Sequence, residues 1–193
     1  MSYSASPSAN RPDHFSTAVT TRIATAVETL GYPTLVDWAM RLLAQETTPD
    51  AEHEPDIKLL GGMEAIEPYM ARVWAGQALL HAWHHKAEDA VVTALDDDDW
   101  QVREIAAQLV GHHELAHVSK LVELLTDDAY PHVRIAAARA IGATATPQHD
   151  VAIDRLQRLV MDPNTFLSAA AEDALGEIAN RHNRPDLATA PRY

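Results

Sequence analysis

Cysteine is absent from the 193-residue chain. That excludes disulfides, thiolate metal sites, iron–sulfur clusters and a cysteine nucleophile. Cationic side chains are scarce: 15 Lys and Arg stand against 28 Asp and Glu, a formal net charge of −13. Nucleic acid and anionic membrane both need a cationic footprint, so neither is an expected partner. No stretch approaches the ~20 apolar residues of a membrane span. The opening Met1–Pro12 segment is small, polar and Ser/Pro-containing, without the apolar run of a signal peptide. These features lead to the expectation of a cytoplasmic protein. Period-two alternation bounded by hairpin turns is missing as well, which leaves helices as the fold. There is no phosphate-cradling P-loop, no G-x-G-x-x-G and no G-x-S-x-G. What is present is a 47% hydrophobic content, enough for a sizeable core.

Residues 15–30 place Phe15, Val19, Ile23, Val27 and Leu30 at spacings of three and four, and Gly31 with Pro33 closes that helix. Residues 34–45 place Leu35, Trp38, Ala39, Leu42 and Leu43 on one face, with Thr34 as the expected N-cap. A polar stretch follows, rich in Thr, Pro and acids. The expected organisation is a flexible tail over 1–13, a helical capping pair over 14–46, a polar loop over 47–62, a repeat array over 63–183 and a second tail over 184–193.

The array is visible as self-similarity. Val102-Arg-Glu-Ile-Ala-Ala-Gln-Leu-Val-Gly111 aligns with Val133-Arg-Ile-Ala-Ala-Ala-Arg-Ala-Ile-Gly142, 31 residues later. Leu167 to Gly176 follows at an offset of 34, and Ala71 to Leu80 is a weaker copy that precedes by 31. Short apolar helices stand before the three clear copies, at Ala90–Leu95, Val118–Leu125 and Val151–Met161, and each ends in acid. The unit is therefore a helix, an acidic turn, an Ala-rich helix and a glycine-marked exit. Gly111, Gly142 and Gly176 are expected at helix C-termini, where positive φ is cheap for glycine. Two short helices cannot bury their apolar faces alone, whereas stacked copies share one core.

The Val-Arg-x-Ala-Ala-Ala-x-Ala-Leu-Gly pattern, with an acid six residues before the Arg, resembles HEAT repeats, in particular the short HEAT-like repeats of phycobilisome-lyase type. The resemblance covers about residues 63–181. It implies an all-α, right-handed solenoid of about four helical hairpins, capped by the N-terminal helical pair. It also implies that Asp97, Arg103, Asp128 and Arg134 form a hydrogen-bonded ladder between repeats. In the third copy Asp162 lies six before Ser168, so the ladder is expected to stop there.

Histidine is abundant, at 11 residues. His81, His84, His85, His112, His113 and His117 cluster near the exits of the Ala-rich helices and are candidate metal ligands, since neutral imidazole suits zinc, iron or nickel. The alternative use of these residues is a solvated polar rim. His113-Glu114-Leu115-Ala116-His117 matches H-E-x-x-H formally, but it begins in the turn after Gly111, where the helical i,i+4 geometry fails. HEAT-like deoxyhypusine hydroxylases hold irons through His-Glu pairs at the start of such helices; Glu104-Ile105 and Ile135-Ala136 stand there in this chain, so that activity does not carry over. HEAT-like DNA glycosylases use a basic groove, which the charge opposes. Trp74 is expected in the core; Trp83, Trp100 and Tyr130 belong to the rims.

The expected function is a non-catalytic scaffold or adaptor with no cofactor. It would bind a protein, with a basic or amphipathic segment as its ligand, on the concave face of the Ala-rich helices. The candidate contact residues are Glu104, Gln108, Arg139, Glu172 and Asp173, with Trp100 and Tyr130 at the edge of that face. The alternative is a metal- or chromophore-dependent HEAT-like enzyme or lyase subunit that uses the histidine rim.

Overall fold

The computed structural model describes residues 16–188; the expected N-terminal tail, Phe15 and residues 189–193 lie outside them. Ten α-helices make up the described chain: α1 (Thr17–Leu30), α2 (Tyr32–Leu43), α3 (Lys58–Gly61), α4 (Pro68–His81), α5 (Glu88–Ala94), α6 (Trp100–His112), α7 (Val118–Asp127), α8 (Pro131–Thr144), α9 (Asp150–Leu159) and α10 (Thr165–His182). Short 3₁₀ turns occupy His85–Ala87 and Pro185–Leu187, and no strand occurs among the described residues.

The helices pair as α3/α4, α5/α6, α7/α8 and α9/α10. The second helices of these pairs form one layer, α4 on α6, α6 on α8 and α8 on α10, and α2 extends it by packing on α4. On the other side, α7 packs on α9. Between the layers lies a continuous apolar core running from Val19 to Leu187. Leu79, Leu95, Ile105, Leu109, Leu121 and Leu125 are fully buried within it. The second helices run parallel. Gly76 approaches Ile105, Gly111 approaches Ala140 and Gly142 approaches Ala174, each contact stepping by one repeat.

Those glycines revise the expectation of C-terminal caps. Gly111, Gly142 and Gly176 lie inside α6, α8 and α10, and the glycines at positive φ are Gly31 and Gly62. A glycine near the end of an apolar helix reads as a stop in sequence, but here it is a notch for the next helix. A Cβ on Gly111 would sit 3.0 Å from Ala140 Cα, and one on Gly142 would sit 2.8 Å from Ala174 Cα. Both are inside the ~3.5–4.0 Å at which carbon atoms pack best. Gly176 occupies the equivalent place on the last helix and faces open space.

Three local expectations also change. Thr34 does not cap α2: the helix starts at Tyr32, directly after Gly31 at φ 81°, with Pro33 in its first turn. The stretch 47–62 is not merely a polar loop. Ile57 and Leu60 are buried around α3, and Glu54 is held by Arg41 and accepts from Thr47 Oγ1 at 2.8 Å. The Arg41 guanidinium holds the Glu54 carboxyl below the usual carboxylate range. The C-terminal segment remains attached as far as Leu187, which is buried beneath the Pro185–Leu187 turn, while Arg184 pairs with Asp186 at 2.7 Å.

The notches make a paired prediction. Gly142→Ala forces a Cβ against the α10 backbone and costs about 1–3 kcal/mol. Gly176→Ala meets nothing and gains about 0.5–1 kcal/mol of helix propensity. Thermal unfolding followed by circular dichroism should show the two midpoints moving in opposite directions.

Candidate functional site

The turns into α6, α8 and α10 are each organised by an acid. The Asp97 carboxylate accepts from Asp99 N–H at 2.8 Å, Asp128 from Tyr130 N–H at 2.8 Å and Asp162 from Asn164 N–H at 2.8 Å. Asp99 then caps α6 by accepting from Gln101 N–H at 2.9 Å, and Asn164 caps α10 by accepting from Phe166 and Leu167 N–H. These side chains satisfy amide donors that the helix itself leaves open.

Two of the acids also receive an arginine from the preceding repeat. Arg72 reaches Asp97, with Nε 2.8 Å from Oδ2 and Nη2 donating to Oδ1 at 3.0 Å. Arg103 reaches Asp128, with Nε donating at 2.6 Å and Nη2 at 3.2 Å. Arg103 also donates through Nη1 to the carbonyls of Asp97 and Asp98 in its own turn. The hydrogen bond to Asp128 raises the Arg103 pKa above its ordinary value. Arg134 donates instead to the Leu125 carbonyl at 2.9 Å, and Ser168 to the Val160 carbonyl at 2.6 Å. Thus Arg103, Arg134 and Ser168 each bond within their own repeat, and the bridge between repeats is made by Arg72 and Arg103. Arg72 was not singled out in sequence, although it stands 31 residues before Arg103. Gln45 adds a further contact, donating to Asp97 Oδ2 at 3.0 Å.

The aromatic residues of the same turns stack. Trp100 and Tyr130 lie with ring centroids 5.4 Å apart and planes 15° from parallel, and His132 lies 5.4 Å from Trp100. Arg103 stands 6.0 Å over the Tyr130 ring.

Of the candidate contact residues, Gln108, Arg139 and Asp173 occupy equivalent places in successive second helices, 31 and 34 residues apart, so they form one row. Arg139 and Asp173 are exposed, and Gln108 is half-buried. Glu104 lies one helical turn before Gln108 and is half-buried. Glu172 is half-buried too, but its counterparts Ala107 and Ala138 are buried, so it belongs to a different face.

At the opposite ends of these helices the histidines are used individually. His113 stacks on Trp83, with centroids 3.9 Å apart, and its Nε2 lies 3.0 Å from the Leu79 carbonyl, to which it donates. His117 pairs with Glu88 at 2.8 Å, His84 lies against His85, and His112 meets His113 edge-on. No group of three or more His, Asp or Glu among the described residues could hold a metal ion. His113 follows the end of α6 and Glu114 has φ 51°, so the H-E-x-x-H match is not helical. An apolar cleft of about 400 Å³ opens nearby, between Tyr32, Val36, Met40 and His84.

Two expectations follow from this geometry. Arg103→Met leaves Asp128, 3% exposed, without its counter-charge. It should cost about 3–5 kcal/mol, and adding Asp128→Asn should cost less than the sum of the two single changes. Urea unfolding of the double-mutant cycle measures this. Burial lowers the His113 pKa, with His112 adding to the effect against the Leu79 hydrogen bond. The unfolded chain therefore takes up a proton near pH 6.5 that the folded chain resists. Stability is complete above that pH and falls as pH drops below it, and His113→Phe should flatten the slope.

Comparison with known proteins agrees with the repeat geometry. Residues 118–190 match HEAT repeats. Over 146 residues, 75% of this chain, the sequence is 32% identical to the 26S proteasome regulatory subunit RPN2 of Eremothecium gossypii. The match spans 15% of that protein's length. No helix among the described residues is long and apolar enough to cross a membrane. The match over residues 118–190 and the stacked hairpins tied by repeat-spaced glycines and acids agree on an all-α HEAT-repeat fold.

Proposed function

We propose that the chain is a non-catalytic HEAT-repeat scaffold that binds a protein partner on the concave face of its second helices. The observation that carries this reading is the row of Gln108, Arg139 and Asp173. One polar side chain in each of the last three repeats presents a regular contact every ~10 Å, the spacing of packed helices. Glu104, Glu172 and the edge residues Trp100 and Tyr130 would widen the contact. The relative is a regulatory subunit of the 26S proteasome, which supports a role built on protein contacts. The net negative charge favours a partner with a basic or amphipathic segment.

A photo-activatable amino acid placed at Gln108 or Arg139 tests the reading. In native extract, a discrete heterologous cross-link is expected from these positions and not from Ser119, which is exposed on α7. Combining Glu104→Lys with Gln108→Lys should reduce the product severalfold while helicity is unchanged. Absence of product at both positions, or the same product from Ser119, overturns it.

A further inference from the structure

Seven large hydrophobic side chains are exposed among the described residues, and five of them sit at one edge of the array. Met63 and Ile66 lie in the turn before α4, Tyr130 in the turn before α8, Met161 in the turn before α10, and Phe166 in the first turn of α10. Ile66, Met161 and Phe166 are 76%, 78% and 69% exposed. Trp100, at the start of α6, completes the row by stacking on Tyr130. Because the second helices run parallel, these residues line the N-terminal ends of four neighbouring helices. At ~10 Å per helix the row spans about 30 Å, the reach of about nine residues of extended chain.

The charge between the apolar contacts is of one sign. The four turns 62–67, 95–99, 128–130 and 160–164 hold eight carboxylates and no Lys, Arg or His. Arg72 and Arg103 engage Asp97 and Asp128, Lys120 engages Asp96 and Lys58 engages Glu64. Glu67, Asp98 and Asp162 form no ion pair among the described residues, so the edge remains net acidic. The acidic edge of a second copy is repelled here, which disfavours pairing of this edge with itself. A cationic chain is attracted, and a guanidinium can stack on the Trp100 and Tyr130 rings.

We infer that this edge is a docking surface for a Lys/Arg-rich segment of a partner protein that carries apolar side chains at about three-residue intervals. The inference rests on the scaffold reading and adds to it both a second surface and the chemistry of its ligand. The apolar side chains of the segment cover Ile66, Tyr130 and Phe166, while its cations lie between the turns. Binding weakens with added salt, as expected for contacts between exposed charges.

The test is a phage-displayed library of random 12-residue peptides, panned against the full chain. Enriched peptides are expected to be basic, with Leu, Ile or Phe spaced about three apart. The best peptide, made synthetically, should bind about tenfold more weakly to Ile66→Ser/Phe166→Ser and to Asp98→Lys, and unchanged to Gln108→Lys. Circular dichroism verifies that the variants fold; the mutated apolar residues are largely exposed, so their loss leaves the core intact. Enrichment of acidic or purely apolar peptides overturns the inference, as does no enrichment, or equal binding to the edge variants. If cross-links form at Gln108 and Arg139 while the edge fails these tests, the scaffold reading stands without the edge. If both fail, both readings fall.

Discussion

The close approach of neighbouring second helices is the constraint on which the rest of the structure depends. Gly111 meets Ala140 and Gly142 meets Ala174 with no room for a further carbon atom. Alanine and glycine contribute little apolar area, so their value here is geometric. They bring the helix backbones together so that larger side chains, such as Ile105, Leu109 and Leu125, interlock between the layers. Burial of those side chains supplies most of the favourable free energy, at about 25 cal/mol per Å² of apolar surface. Small residues at one repeat-spaced position therefore fix the distance and direction at which every later helix is added.

The charged rungs act within that frame. A buried ion pair seldom adds much net stability over a well-packed apolar pair, but removing one partner is costly. Arg72–Asp97 and Arg103–Asp128 thus penalise misregistered stacking more than they strengthen correct stacking. Toward the C-terminal end the array uses neutral acceptors. Arg181 donates to the carbonyls of Gly142 and Ala145 at 2.5 and 2.8 Å, at the C-terminal end of α8. That contact satisfies carbonyls left open at a helix end and sets a cation against the negative end of the helix dipole. Arg181 stands on the last helix, and its side chain reaches back into the array.

The repeat was legible because its requirements fall on residue types with few substitutes. Alanine at close contacts, an aspartate in the turns before α6, α8 and α10, and an arginine that reaches its neighbour leave a periodic trace. The role of the glycines was not legible, since a helix stop and an interhelical notch demand the same residue in nearly the same place. Thr34 failed as a cap because Gly31 at positive φ already turns the chain and Pro33 suits the first helical turn. The histidines were legible as a cluster but not in their use. Their contacts with Trp83, the Leu79 carbonyl and Glu88 come from distant parts of the chain and leave no trace in spacing. Ile66 and Phe166 were missed for a related reason: sequence periodicity identifies an apolar residue but not whether the array covers it.

The two ends of the second helices carry different chemistry, and the fold itself explains part of the difference. The positive ends of the helix dipoles favour carboxylates, and the turns before α6 and α10 use Asp99 and Asn164 as caps. Imidazoles suit the negative ends, where His81 and His112 occupy the last turns of α4 and α6. Charge segregation along the array therefore follows partly from helix stability alone. The exposed apolar row has no such explanation. Ile66, Met161 and Phe166 neither cap a helix nor fill the core, and exposing them gains nothing for folding. Charge alone would make the acidic edge a solvated rim; the apolar side chains set among those charges make it a surface shaped for contact.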